Sequence, residues 1–207
     1  MKRFLLVVAI AGIAQTGFSQ ISIDPEVDAS FSSVRTKTGD NSAVNSDFKT
    51  GFRAGAGVNI AISNGLYVKP GLFYNMLGGK EKTSGTTAST TMHYLQVPVN
   101  IGYNYTISDK AGGVFVEAGP YAGIALAGKN KIENNLGETK TDIDFGDGAT
   151  ETNAFDWGFN FGLGYETPWG IYVRGGYGLG LGNLSNVNDV TATNQNWNVG
   201  IGYRIKL

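Results

Sequence analysis

The sequence predicts an all-β fold, an eight-stranded antiparallel up-and-down transmembrane β-barrel, and three observations support this prediction. Eight segments alternate apolar residues with small or polar ones, one face of every segment carries no charge, and the connecting segments are alternately long and short. A repeat of two residues is typical of a β-strand, because successive side chains leave opposite faces of the pleated backbone. Eight strands that share a wholly apolar face predict a closed barrel whose outside contacts lipid.

Each segment shows the same alternation. In the second segment every other residue from Phe52 to Ile62 is apolar, and the sixth segment repeats the pattern from Phe155 to Tyr165. The eight segments begin at Ile21, Phe52, Leu66, Leu95, Val114, Phe155, Ile171 and Trp197.

The connections between these segments alternate between long and short, as in an up-and-down barrel with turns at one rim and loops at the other. Asn64-Gly65 and Pro168-Trp169-Gly170 supply the residues that tight hairpin turns require. The loops are rich in Asn, Thr, Gly and Lys, as in Lys80–Thr91, and we expect them to be mobile. The short connections are Ser63–Gly65, Ile107–Gly113 and Thr167–Gly170, and the long ones are Thr36–Thr50, Gly78–Thr91, Gly128–Ala154 and Gly182–Asn196.

The N-terminal residues predict a cleaved signal peptide at 1–19, followed by a single barrel domain at 20–207. Lys2 and Arg3 form a basic start, Phe4–Ala14 is apolar, and the small residues Gly17 and Ser19 follow. This apolar stretch is too short to span a membrane, which distinguishes it from an anchor helix.

Composition excludes several classes of protein. The 207 residues fit one domain, and 16 basic and 17 acidic residues leave a net charge of −1, so there is no basic footprint for nucleic acid. The chain has no cysteine, which excludes disulfides and thiolate metal sites.

The face opposite the apolar one is predicted to line the lumen. About half of the 31 glycines lie on it, and a narrow lumen needs them because they leave room for long neighbouring side chains. Buried charges persist only when they are paired, so the charged residues of this face are predicted to form a structural network across the lumen. These residues are Asp24, Glu26, Asp28, Arg53, Lys69, Glu117, Asp156, Glu166, Arg174, Arg204 and Lys206.

Two pairings within this network are predicted from the order of the strands. Barrel closure brings the start of the first strand, with Asp24 and Glu26, to the end of the last strand, with Arg204 and Lys206. Glu166 and Arg174 are diagonal neighbours across a short turn, so we expect them to interact.

Aromatic residues and the C-terminal segment agree with a membrane barrel. Gly202, Ile205 and Leu207 resemble the assembly signal of outer-membrane barrels, in which apolar residues alternate to the last position. Aromatic rings of the apolar face are sorted to both ends, as expected for two membrane interfaces. They are Tyr103, Tyr105, Tyr165 and Tyr203 at the turn end, and Phe52, Tyr74, Phe155, Trp157 and Trp197 at the loop end.

Candidate catalytic and metal sites are weak. His93 is the only histidine, and Ser84 and Ser89 precede it in the same loop, which is the minimum that a serine hydrolase would need. A single histidine at the rim is far more often solvated. Asp142–Gly148 resembles a calcium loop, but its third acid is one position late and the closing glutamate is missing. We therefore predict no catalytic residue, no metal site and no cofactor.

Three stretches resemble a known family, namely Gly65–Tyr74, Tyr94–Asn100 and Val116–Tyr121. In them the chain is similar to the PorT-like outer-membrane β-barrels of Bacteroidota, often labelled porin family, and the resemblance covers roughly Ile21 to Leu207. The resemblance implies an eight-stranded barrel in the outer membrane, and one member of that family is linked to a protein secretion system. It implies no catalytic residues.

Together these features predict a small, non-enzymatic integral protein of the cell outer membrane. We expect a structural or interaction role through the outer loops, linked to secretion or envelope function, and no stable diffusion pore. The expected partners are outer-membrane lipid, the barrel assembly machinery and a protein or surface ligand at the long loops, with no nucleic acid and a monomeric state. Two alternatives stay open: an outer-membrane enzyme that modifies lipid A or peptides at the loop rim, and a soluble barrel that carries an apolar ligand.

Overall fold

The structure of the protein is a computed structural model that describes residues 21–135, 137–148 and 150–207. The predicted signal peptide at 1–19 lies outside the described residues. In the described part, no helix is long and apolar enough to cross a membrane. The strands are β1 (Ile21–Thr38), β2 (Val44–Asn45), β3 (Lys49–Ser63), β4 (Leu66–Thr83), β5 (Thr86–Ser108), β6 (Gly112–Asn134), β7 (Gly137–Asp142), β8 (Phe155–Glu166), β9 (Ile171–Gly180), β10 (Val190–Tyr203) and β11 (Ile205–Lys206).

Eight of these strands form a closed ring. The order of neighbours is β10-β9-β8-β6-β5-β4-β3-β1, and β1 also pairs with β10 along most of its length. All of these pairings are antiparallel. The short strands β2 and β11 add to β1, and β7 adds to β6. The predicted eight-stranded antiparallel barrel is therefore confirmed.

Three strands continue beyond the ring at its loop end, where the sequence predicted loops. β4 and β5 stay paired from Gly78 and Thr91 to a turn at Ser84-Gly85, and β6 continues to Asn134 and pairs with β7. We call residues 78–83, 86–91, 128–134 and 137–142 the outer sheet. The expectation that Lys80–Thr91 is a loop was wrong, because β4 and β5 pair along it on both sides of the turn. Its β-branched threonines favour a strand, but it lacks the apolar alternation on which the strand prediction rested.

The two faces of the ring differ as the sequence predicted. Side chains of the apolar face point outward, with exposed fractions of 53% at Leu72, 59% at Ile101 and 66% at Leu163. Residues of the opposite face are buried in the lumen, among them Asp24 and Asn75. A wholly apolar outer surface of this extent is what a lipid bilayer solvates.

Exposed aromatic rings form the two predicted belts. Tyr103, Tyr105, Tyr165 and Tyr203 are exposed near the short turns, and Trp169 is exposed in one of these turns. At the loop end, Phe52, Phe155, Trp157 and Trp197 are exposed, and Tyr74 is half-buried beside Phe52. Amphipathic rings at these two levels mark the membrane interfaces.

Glycines on the lumen face stand opposite large aromatic rings in the neighbouring strands. Gly164 pairs with Phe115, and a Cβ atom at Gly164 would collide with the Phe115 ring and with the carbonyl oxygen of Val173. The missing side chain lets the ring lie flat against the barrel wall, an arrangement known to stabilise glycine-containing strands. The other pairs are Gly55 with Phe73, Gly102 with Tyr67, and Gly202 with Tyr172.

The substitution Gly164→Ala should destabilise the barrel by about 1–3 kcal/mol, because the added methyl group overpacks the wall between Phe115 and Val173. Gly175→Ala in β9 is the matched control, since the nearest atom of a non-neighbouring residue to its added Cβ lies 4.0 Å away. The control should be neutral or stabilising by up to about 1 kcal/mol. Denaturant unfolding in lipid vesicles measures both, and equal effects of the two variants would contradict the packing argument.

Candidate functional site

Arg174 is the centre of a layer of ion pairs in the middle of the lumen. Its guanidinium lies 3.4 Å from a carboxylate oxygen of Glu26, 3.2 Å from Asp28 and 3.3 Å from Glu117. Glu26 and Asp28 belong to β1 and Glu117 belongs to β6, so Arg174 in β9 connects distant walls of the barrel.

Two further bases complete this central layer. Arg53 Nη1 lies 2.5 Å from Asp28 Oδ2 and 3.2 Å from Glu26 Oε2. Lys69 Nζ lies 3.0 Å from Glu26 Oε1 and 2.6 Å from Glu117 Oε2. All the side chains of this layer are at most 8% exposed. Each acid therefore contacts at least two bases, as a buried carboxylate requires.

A second, smaller layer lies at the turn end. Arg204 donates to both carboxylate oxygens of Asp24, with Nη2 to Oδ2 at 2.9 Å, and it also pairs with Glu166. The predicted approach of Asp24 to Arg204 is therefore present, whereas Glu26 pairs with the bases of the central layer instead. The predicted contact of Glu166 with Arg174 was wrong. Arg174 turns to the central layer, whereas Glu166 faces the turn end, where Asn104 Nδ2 donates to it at 2.9 Å.

Two of the eleven sequence-predicted residues do not take part in ion pairs among the described residues. Asp156 is buried, and its carboxylate accepts hydrogen bonds from Tyr121 Oη at 3.3 Å and Asn194 Nδ2 at 3.1 Å. It begins β8 at the loop end, away from the lumen bases, so neutral donors replace a cation. Lys206 is exposed at the turn end, because it follows Arg204 at the rim, where water solvates its charge. Their assignment to the charge network is corrected accordingly.

An apolar cluster closes the lumen above these layers. Leu77, Met92, Tyr94 and Leu184 are each at most 3% exposed and pack with Ile143. Leu184 and Ile143 come from the long connections, and Leu77 and Met92 from β4 and β5. The lumen therefore holds paired charged side chains at its centre and apolar side chains at its loop end.

A cavity of about 470 Å³ lies above the apolar cluster, at the loop end. Met92 and Leu184 line it together with hydroxyl and amide side chains such as Thr90 and Asn130. One wall is held in place by Asn186, whose Nδ2 donates to the carbonyl oxygens of Gly146, Gly148 and Glu151 at 2.7–3.2 Å. Met92 and Leu184, which belong to the apolar cluster, therefore separate this cavity from the layers of ion pairs.

The outer sheet carries exposed ion pairs on its outward side. Lys131 Nζ lies 2.7 Å from both Glu133 and Glu138, and Lys140 Nζ lies 2.6 Å from Glu138. Hydrogen bonds from these two lysines lower the pKa of the Glu138 carboxyl to about 2. The sheet is therefore highly charged and solvated where it leaves the membrane.

Sequence reasoning missed the aromatic part of the lumen. Tyr67, Phe73, Phe115 and Tyr172 are buried among the charges, with Tyr67 Oη donating to Glu117 at 3.2 Å. The signal that could have identified them is the glycine opposite each ring, which becomes visible once the strand register is known.

The geometry does not support the candidate serine hydrolase site at His93 or the candidate calcium loop at Asp142–Gly148. His93 Nδ1 contacts Tyr74 Oη, and the two rings lie 5.8 Å apart, so the described partner of the histidine is a tyrosine rather than Ser84 or Ser89. In the calcium-like stretch, Asp142 lies 3.7 Å from Lys129. Among the described residues, no three His, Cys, Asp or Glu side chains are grouped as metal ligands.

Comparison with known families agrees with this architecture. The model of the outer membrane protein beta-barrel domain matches residues 13–186, which is most of the chain. The chain belongs to this family. The protein is therefore located in the cell outer membrane, and the alternative of a soluble barrel that carries an apolar ligand was wrong. In outer-membrane barrels short turns face the periplasm, so the loop end is predicted to face the outside of the cell.

Several solved barrels are similar in shape at low sequence identity. Ail, the attachment invasion locus protein of Yersinia pestis, is 14% identical, with a TM-score of 0.43, covering 89% of this chain and 99% of that one. Neisserial surface protein A is 12% identical, with a TM-score of 0.41, covering 90% and 97%. The N-terminal barrel domain of Pseudomonas aeruginosa OprF is 10% identical, with a TM-score of 0.35, covering 87% and 97%. Comparison with curated protein sequences gives no match.

Arg174→Gln should lower the free energy of unfolding by about 3–5 kcal/mol, because it leaves three buried carboxylates with too few cations. Lys140→Gln removes the same charge from an exposed pair with Glu138 and should change stability by less than about 1 kcal/mol. Urea titration in lipid vesicles compares the two variants. A loss at Arg174 no larger than that at Lys140 would contradict a structural role for the central layer.

Proposed function

We propose that the protein is a non-catalytic, non-conducting barrel that acts in the outer membrane through the surfaces at its loop end. The observation that carries this proposal is the contrast between the two parts of the molecule. The lumen is filled by paired charges and an apolar cluster, whereas the loop end builds defined surfaces outside the bilayer.

The filled lumen argues against transport. A diffusion pathway would have to pass Arg174, Arg53 and Lys69, whose charges are all held by carboxylates, and then the apolar cluster around Leu77. Eight strands enclose only enough space for side chains, whereas open channels need about sixteen. The charge network is therefore assigned a structural role, that of neutralising and bracing the lumen.

The loop end offers two kinds of contact surface. The outer sheet projects past the ring, and its last strand, β7, pairs only with β6 among the described strands, which leaves one edge of β7 available. The cavity of about 470 Å³ is large enough for a small ligand. Residues on rigid scaffolds at such positions are suited to recognition, and this supports a protein or surface ligand as partner.

The resemblance of the sequence to PorT-like barrels extends the proposal to secretion or another envelope function. Outer-membrane lipid and the barrel assembly machinery are the partners that membrane insertion requires, and the proposed state is a monomer because the closed ring leaves no ring-strand edge to pair. No observation on His93 favours an enzyme, so catalysis at the loop rim is not adopted.

The purified monomer in a planar bilayer should show at most small and rare conductance, because the central ion pairs and the apolar cluster occupy the lumen in series. Single-channel recording, with the monomeric state verified in the same sample, measures this. Large, steady conductance would contradict the non-conducting role.

Contacts at the loop end can be tested on intact cells with a photo-reactive residue at Thr139 of β7. It should form adducts with an external protein or polysaccharide, because Thr139 is exposed on the outer sheet. The control is the same residue at Asp109, in the turn between β5 and β6, where external adducts should be absent. Adducts from Asp109 alone would transfer the interaction to the periplasmic side, and no adducts from either site would oppose an interaction role.

A further inference from the structure

Asp156 is a buried acid of the lumen that has no base beside it among the described residues. Its side chain is fully buried, and the groups that donate to its carboxylate are all neutral: Tyr121 Oη at 3.3 Å, Asn194 Nδ2 at 3.1 Å and the backbone N–H of Trp157. These donors leave the negative charge of Asp156 unbalanced. The buried bases of the lumen do not balance it, because each of them already pairs with acids of the central layer or of the turn-end layer. They are Arg53, Lys69, Arg174 and Arg204.

Two buried oxygen atoms at this position have no hydrogen-bond partner among the described residues. One is Asp156 Oδ1 and the other is Asn194 Oδ1. The Asn194 side chain is 1% exposed, and because its Nδ2 donates to Asp156, the orientation of its amide is fixed. Both of these atoms are acceptors, so they cannot bond to each other, and a buried acceptor without a partner is costly. A positive ion bound by both oxygens would remove this cost.

Glycines in the neighbouring strands keep the surroundings of these two oxygens free of other side chains. Asp156 belongs to β8 and Asn194 to β10, and β9 lies between these strands. The lumen-face residue of β9 at this level is Gly180, which pairs with Gly158 of β8. On the other side of β8, Asp156 pairs with Gly123 of β6. The barrel wall therefore leaves room for an ion beside the carboxylate.

The position of Asp156 and its single charge restrict the kind of ion. Its partner Gly123 lies along β6 between Glu117 of the central layer and Ala125, which packs against the apolar cluster. An ion at this depth must exchange its water for oxygen atoms of the protein. Ca²⁺ takes several carboxylates and Mg²⁺ keeps several waters, whereas one carboxylate balances one positive charge. These features favour a dehydrated monovalent cation.

We propose that Asp156 Oδ1 and Asn194 Oδ1 bind a monovalent alkali cation, Na⁺ or K⁺, inside the lumen. The ion supplies the positive partner that the other lumen acids receive from an arginine or a lysine, as a buried charge requires. Tyr121 holds the second carboxylate oxygen and so orients Asp156 toward the ion. The ion connects β8 with β10 across β9, in the same way that Arg174 connects β9 with β1 and β6.

Urea unfolding of the protein in vesicles of zwitterionic lipid tests the proposal, in NaCl, KCl and choline chloride at equal ionic strength. The protein is first folded in choline chloride, whose cation is too large for the site. The ratio of folded to unfolded protein should be about tenfold higher in at least one alkali salt, once the ion is at about ten times its dissociation constant. Equal stability of the unmodified protein in all three salts would overturn the proposal, whether or not any variant folds.

Variants then locate the site. Asp156→Asn keeps the shape of the side chain and removes its charge, so it should be equally stable in the three salts. The matched control, Asp109→Asn, removes the same charge from the exposed turn between β5 and β6 and should keep the preference for the alkali salt. A preference that persists in Asp156→Asn, or that is lost in Asp109→Asn as well, would overturn the assignment to Asp156.

Discussion

Arg174 and Lys69 organise the lumen because they tie together walls that no backbone ladder connects. Both bases contact Glu26 in β1 and Glu117 in β6, and these two strands lie on different sides of the ring. Removing such charges from water costs several kcal/mol each, so every carboxylate in the central layer must meet a base within a few ångströms. The ring can therefore close only if the charges in its interior neutralise one another.

The glycines of the lumen face provide the space that these buried side chains require. Long bases, carboxylates and aromatic rings all compete for a lumen that eight strands make narrow. Because Gly164 and Gly202 have no side chains, the rings of Phe115 and Tyr172 can lie along the barrel wall. These two rings pack edge to face, with their centroids 5.6 Å apart. Glycine weakens a strand by itself, and the ring that covers it from the next strand offsets this loss.

The loop end is stabilised differently from the ring, because water and lipid headgroups surround it rather than hydrocarbon. Its strands are polar, and its order comes from backbone pairing, from Asn186 and from the apolar cluster at Leu77. The charges there are exposed to solvent, whereas the charges of the lumen are buried and pair with one another.

The sequence by itself determined the ring, because the period of two and the sorting of aromatics to both ends are local properties of each strand. It also identified the lumen face, since closure of the barrel leaves only one side for charge. Only the tertiary structure decided which charged groups form pairs. Arg174 pairs with the acids of the central layer rather than with Glu166. Asp156 accepts hydrogen bonds from Tyr121 and Asn194 instead of pairing with a base. It alone revealed the outer sheet and the apolar cluster. These depend on register and on contacts between distant segments, which no local pattern encodes.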